Sequence, residues 1–99
     1  MLDYDLTERA VRDIASARDW YDRRDIKLGN RFIDATLSAI RVARENPDIC
    51  PEVRTGVRAV RCKTFPYRVY FESAPDRIVV LAVYHTARDP QAWDDPLRE

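Results

Sequence analysis

The hydrophobic period along this chain is two at the N-terminus, lengthens to a helical period near Thr7, and returns to two after Gly56. Leu2, Tyr4 and Leu6 alternate with Asp3 and Asp5, which predicts a short strand. Thr7 offers an N-cap hydroxyl, and Glu8 puts an acid at the positive end of a helix dipole. Ala10, Val11, Ile14, Ala17 and Tyr21 then recur at helical spacing, so a helix is expected from about Glu8 to Arg24. After a break near Asp25, a second apolar stripe runs through Gly29, Phe32, Ile33, Thr36, Leu37, Ile40 and Ala43. Pro47 ends that helix at or before Asn46. So short a break makes the pair an antiparallel helical hairpin, and the stripes read as core.

Residues 48–56 contain Pro51 and Gly56 and read as a loop. Val57–Lys63, Tyr67–Glu72 and Ile78–His85 are rich in Val, Ile, Tyr and Phe and read as strands. Pro75 suits the second position of a type I turn between the last two. Short connections predict an antiparallel meander. Ile78–Tyr84 is apolar on both faces and is expected to be the central, doubly covered strand. Asp89-Pro90 can open a short C-terminal helix, anchored by Trp93. The expected fold is α+β: an N-terminal strand and a helical hairpin packed on an antiparallel sheet, in the order β-α-α-β-β-β.

Ninety-nine residues make one domain, spanning 1–99. Lys plus Arg equals Asp plus Glu at 17 each, which argues against a protein held to nucleic acid by bulk positive charge. The charge is unevenly placed: Arg54, Arg58, Arg61, Lys63 and Arg68 outnumber Glu52 and Glu72 in one stretch, and the tail after Arg88 turns acidic. No apolar run suggests a signal peptide or a membrane span, so the cytoplasm is the expected compartment. Cys50 and Cys62 form no zinc pattern with the single histidine, and free thiols are expected, with Cys62 half-buried on a strand. No metal or cofactor is expected.

The order of elements, with FPYRVYFE on one strand and VVLAVYHTARDPQAW following from the next, resembles the RelE/ParE superfamily of type II toxins. The likeness rests on Tyr67, Arg68, Val69 and Tyr70, and on a last strand ending in Val83, Tyr84 and His85 before Arg88. It covers nearly the whole chain and favours the ParE-like branch. That branch implies a growth inhibitor that binds and poisons DNA gyrase and is silenced by a cognate antitoxin, ParD-like or other, in a toxin–antitoxin hetero-oligomer. Arg61, Arg68, Tyr84, His85, Arg88 and Trp93 are then the expected target-binding residues.

The RelE and YoeB branches imply the alternative, a nuclease that cuts mRNA on the ribosome. Such cleavage needs a base for the 2′-hydroxyl, cations around the phosphate and an acid for the leaving oxygen. By resemblance Arg68 matches the phosphate-binding arginine and His85 the histidine near the chain end. Arg61 is a second cation, and Glu52 is the carboxylate placed like a base. Each also has an ordinary structural reading. Arg68 could pair with Glu72, Arg61 could be a solvated cross-strand residue, Glu52 a loop acid, and His85 a strand-end histidine bonded to backbone. Neutral charge and the acidic tail favour the binder over the nuclease.

Overall fold

The computed structural model of the chain describes residues 1–86. Seven principal elements follow in order: β1 (Asp3–Leu6), α1 (Glu8–Asp22), α2 (Ile26–Glu45), β2 (Glu52–Arg54), β3 (Val57–Arg61), β4 (Tyr67–Ser73) and β5 (Arg77–His85). The α+β layering is as expected, with both helices on one face of the sheet. The expected C-terminal helix and Trp93 lie outside the described residues.

Three expectations are corrected. The sheet is mixed rather than purely antiparallel: its order is β1-β5-β4-β3-β2, and β1 runs parallel to β5 while the other pairs are antiparallel. Alternating residues mark a strand but carry no sign of its direction, which here the helical hairpin sets by returning the chain between β1 and the meander. Segment 48–56 is not a plain loop. It holds a 3₁₀ turn at Pro47–Ile49 and the edge strand β2, which is too short to show a period. Side chains hold that strand in place: Glu52 Oε2 accepts from Gly56 N–H at 3.0 Å, and Gly56 takes the positive φ of 78° that its tight turn requires. Arg58 Nη1 donates to the Cys50 carbonyl at 2.7 Å and ties down the connection. Finally, the middle position in the sheet belongs to β4, with β5 beside it.

β5 is apolar on both faces for a specific reason. Tyr70 pairs with Ala82 but Phe71 pairs with Val80, so Leu81 is an extra residue at a bulge. The bulge shifts the alternation by one. Ile78, Val80 and Val83 therefore face the helices with Val69 and Phe71, while Ala82 lies on the outer face with Val57, Ala59 and Tyr70. Phe32, Ile40 and Thr36 carry the second helix into the same core, where the Thr36 hydroxyl bonds back to the Phe32 carbonyl. Tyr21, Phe32, Phe65 and Tyr67 form an edge-to-face and stacked ring cluster at one end of it. Val11 and Leu37, both expected in the stripes, are about half exposed, because each stands roughly a quarter turn off its buried line.

Gly29 lets the Asp22 carboxylate lie against the start of α2. A Cβ there would displace that carboxylate, whose Oδ1 is buried without a hydrogen-bond partner at the turn of the hairpin. Both cysteines are free and buried, Cys62 more completely than expected. Burial pushes the Cys62 thiol up to about 11, with a hydrogen bond to Thr36 opposing it.

The remaining constraint lies at the edge of β5. β1 pairs with it only as far as Val80. Beyond that point α1 takes over: Thr7 N–H donates to the Val80 carbonyl at 3.0 Å, and the Thr7 hydroxyl donates to the Leu81 carbonyl at 3.0 Å. Asp13 Oδ2 then accepts from Val83 N–H at 3.0 Å, and Arg9 pairs with Asp13 at 3.4 Å. The same Thr7 oxygen accepts from Ala10 N–H, so one hydroxyl both caps α1 and fastens it to β5.

Thr7→Ala should lower the unfolding free energy by about 2 kcal/mol, the sum of a lost cap and a lost hydrogen bond. Thr7→Ser should lose less than half as much. Urea unfolding of the three proteins measures both values. The buried Cys62 thiol gives a second expectation. Its folded pKa stands above its unfolded value of 9.0, so its contribution is complete below pH 9 and is lost as pH rises towards 11. Wild-type stability should fall across that window more steeply than that of Cys62→Ala, by urea titration at each pH.

Candidate functional site

Strand alternation divides the expected site residues between two faces. Arg61 pairs with Arg68, and Arg68 with Tyr84, so these three form one row across β3, β4 and β5. The row lies on the outer face, in phase with Ala59, Tyr70 and Ala82. His85 is the next residue and points to the helix face, where its ring meets Tyr67 at 5.0 Å. It lines a notch of about 180 Å³ with Asp13, Ser16, Trp20 and Tyr67, and Tyr84 borders the same notch from the strand edge. Thus the register sets Arg61, Arg68 and Tyr84 in one row and turns His85 from Arg61 and Arg68 to the opposite face of the sheet, with Tyr84 at the strand edge bordering the His85 notch.

Arg61 and Arg68 stand directly opposite each other across β3 and β4. The neighbouring pair exchanges a backbone bond, from Cys62 N–H to the Tyr67 carbonyl at 2.9 Å. Arg61 and Arg68 therefore occupy a non-hydrogen-bonded pair, the antiparallel site with the shorter Cα separation of about 4.5 Å. Like charges directly opposite destabilise a sheet. Among the described residues neither arginine has an ion pair or a side-chain hydrogen bond, and Glu72 does not pair with Arg68. Arg61 is exposed and Arg68 half-buried. Among the described residues the pair is a local positive charge with no acidic partner, carried on a rigid platform suited to a carboxylate or another anion.

Glu52 stands apart. It pairs with Arg58, three residues along β3 from Arg61, which is about 10 Å along the strand. It also lies two strands from Arg68, about another 10 Å across. Its carboxylate is engaged with Gly56 N–H. Arg88 and Trp93 lie outside the described residues.

Two features escaped the sequence reading. Trp20 is half exposed at the mouth of the His85 notch, with the Arg24 guanidinium 3.3 Å from its ring centroid. A tryptophan at the margin of an amphipathic stripe was the available signal. The other is a groove of about 470 Å³ beside β3, lined by Val42, Ile49, Pro51 and Val53 and ending at Arg61 and Arg68. Ile49 is 71% exposed, and its position in a proline-flanked turn gave no periodic cue. Among the described residues no group of three His, Cys, Asp or Glu side chains is placed to hold a metal ion, and no helix is long and apolar enough to cross a membrane.

No curated protein matches the chain. A solved structure titled "Chromosomal ParDE TA system from P. aeruginosa" matches it with a TM-score of 0.74 at 16% identity, over 86% of this chain and 96% of that one, which establishes the fold. The family model described as "ParE toxin of type II toxin-antitoxin system, parDE" matches residues 4–90, most of the length. The chain belongs to the ParE toxin family of type II toxin–antitoxin systems.

Proposed function

We propose that this ParE-family toxin arrests growth by binding and poisoning DNA gyrase in the cytoplasm, and that a cognate antitoxin neutralises it in a hetero-oligomer. One observation carries the choice of binder over nuclease: Arg68 and His85 leave the sheet on opposite faces. Cleavage of a phosphodiester needs its base, acid and cations converged on one phosphate, within hydrogen-bond reach of the groups they serve. Here the imidazole faces the helices, the guanidinium pair faces outward, and the carboxylate of Glu52 is committed to a turn elsewhere. Rotamer changes move a side chain on its own face; they do not carry it through a sheet. Arg61, Arg68 and Tyr84 then serve as recognition residues on a rigid surface.

The charge balance supports the same reading. A ribosome-bound nuclease works against a polyanion, and the equal count of 17 basic and 17 acidic residues supplies no general attraction for it. A protein–protein contact needs only the local excess that the outer row provides.

Purified toxin at micromolar concentration should inhibit gyrase supercoiling and accumulate cleaved DNA, while translated mRNA stays intact in arrested cells. Reversal of the row's charge in Arg61→Glu/Arg68→Glu should weaken gyrase inhibition at least tenfold. Unaffected gyrase together with codon-phased cuts in mRNA would establish the nuclease instead.

A further inference from the structure

The end of the molecule that carries the β3–β4 turn collects cations. Arg31 of α2 shares a pocket with Leu28, Thr64 and Phe65, so the start of α2 and the β3–β4 turn lie side by side. Lys63 precedes Thr64 in that turn, and Lys27 stands one helical turn before Arg31. Tyr21 packs edge-on against Phe65, which brings the end of α1 to the same place. Lys27, Arg31 and Lys63 are exposed, and among the described residues none of their side chains has an ion pair or a hydrogen bond. The acids of this neighbourhood are already engaged: Asp19 with Arg23 at 2.8 Å, Asp22 with Arg18 at 3.6 Å, and Asp25 as the cap of α2.

The turn itself is pinned. Cys62 N–H donates to the Tyr67 carbonyl at 2.9 Å, Tyr67 N–H to the Phe65 carbonyl at 2.8 Å, and Thr86 N–H to the Pro66 carbonyl at 2.7 Å. Thr64 takes a φ of 72°, a strained conformation for a β-branched residue. Such strain persists only where the surroundings fix it, and it gathers at binding surfaces. Here it sets the course of the chain between exposed Lys63 and Phe65, which is packed in the ring cluster. The centre of a protein interface is depleted of charge. On this end the exposed positions are the cations, while Leu28 and Phe65 are half-buried. Cations spread over a surface, with no free carboxylate among them, match the repeated phosphates of a polyanion. The chain as a whole is neutral, so the attraction is local. It becomes effective where another protein already holds the polyanion close, because a second contact then gains from a high effective concentration.

We propose that this end of the toxin binds the phosphate backbone of duplex DNA, and that it does so on DNA held by gyrase. The second part rests on the function proposed above; the affinity of the end for duplex DNA does not. Lys27, Arg31 and Lys63 then meet phosphate, while the outer row of Arg61, Arg68 and Tyr84 meets protein. A toxin that holds both keeps the cut DNA on the enzyme, which is what poisoning requires. Contacts to phosphate carry no sequence preference, and their strength falls steeply with salt.

Fluorescence anisotropy of a duplex of about 30 base pairs tests the first part with the intact toxin alone. The toxin should bind at about 50 mM salt with a micromolar Kd, equally for two unrelated sequences. At about 200 mM salt it should bind roughly fortyfold more weakly, as three phosphate contacts require. Arg31→Gln/Lys63→Gln, at two exposed positions, should lower the slope of log affinity against log salt by about two while the urea unfolding curve stays unchanged. No binding at the lower salt, or an affinity that salt does not change, would overturn the proposal. Tighter binding of polyglutamate of matched charge would overturn it in favour of an acidic protein. Surface plasmon resonance on immobilised gyrase tests the second part. Gyrase carrying the duplex should bind the toxin at least tenfold more tightly than gyrase alone. The double variant should lose that gain and keep its affinity for DNA-free gyrase. Equal affinity for the two forms would overturn the joint contact. Toxin that binds the free duplex but not DNA-free gyrase would refute the gyrase reading, and with it the joint contact, while the DNA-binding end stands.

Discussion

Everything about this site follows from the alternation of side chains along β4 and β5, adjusted once by the bulge at Leu81. Without the bulge, Val83 would turn outward and Ala82 would face the helices. With it, the large residues Ile78, Val80 and Val83 all join Phe32 and Phe71 in one core. The same shift assigns Tyr84 to the outer face and His85 to the inner one. A packing requirement in the middle of the strand thereby decides which chemistry is available at its end. The imidazole becomes part of an aromatic notch, and the arginines become a surface.

The two ends of the sheet are treated differently. At β5 the polar groups that β1 leaves unpaired are taken up by Thr7 and Asp13, so the edge closes against α1. At β3 the strand β2 stops short, Pro51 withholds a donor, and among the described residues the edge at Arg61 is unpaired beside an apolar groove. Exposed edges normally invite unwanted pairing, and charged residues commonly guard them. Arg61 does so here. Arg68 stands opposite it on β4, and like charges so placed disfavour the pairing.

Much of the fold was legible in the sequence because each long element has a period. The Thr7 cap, the two helical stripes, Pro47 as a helix stop and the Pro75 turn all lie in the structure where their local chemistry puts them. What was not legible has no local signature. A three-residue strand such as Glu52–Arg54 is defined by its partner. The parallel pairing of Tyr4 with Ile78 is a long-range choice of direction. The bulge at Leu81 is invisible in a run of apolar residues, and it separates His85 from Arg68. Family resemblance placed both residues near one strand end, correctly, yet the face of each depends on a register that only tertiary structure reveals. Glu52 illustrates the same limit: its carboxylate is explained by Gly56, four residues away, rather than by any partner at the site.

The central claim is that residues 68 and 85 act as parts of separate surfaces rather than as one constellation. A double-mutant cycle measures this directly, using Arg68→Ala, His85→Ala and both together, with growth inhibition and target affinity as the readouts. Separate surfaces predict effects that add within about 0.5 kcal/mol. Single variants that are each as impaired as the double variant would show the two residues working as a unit, and would contradict the account.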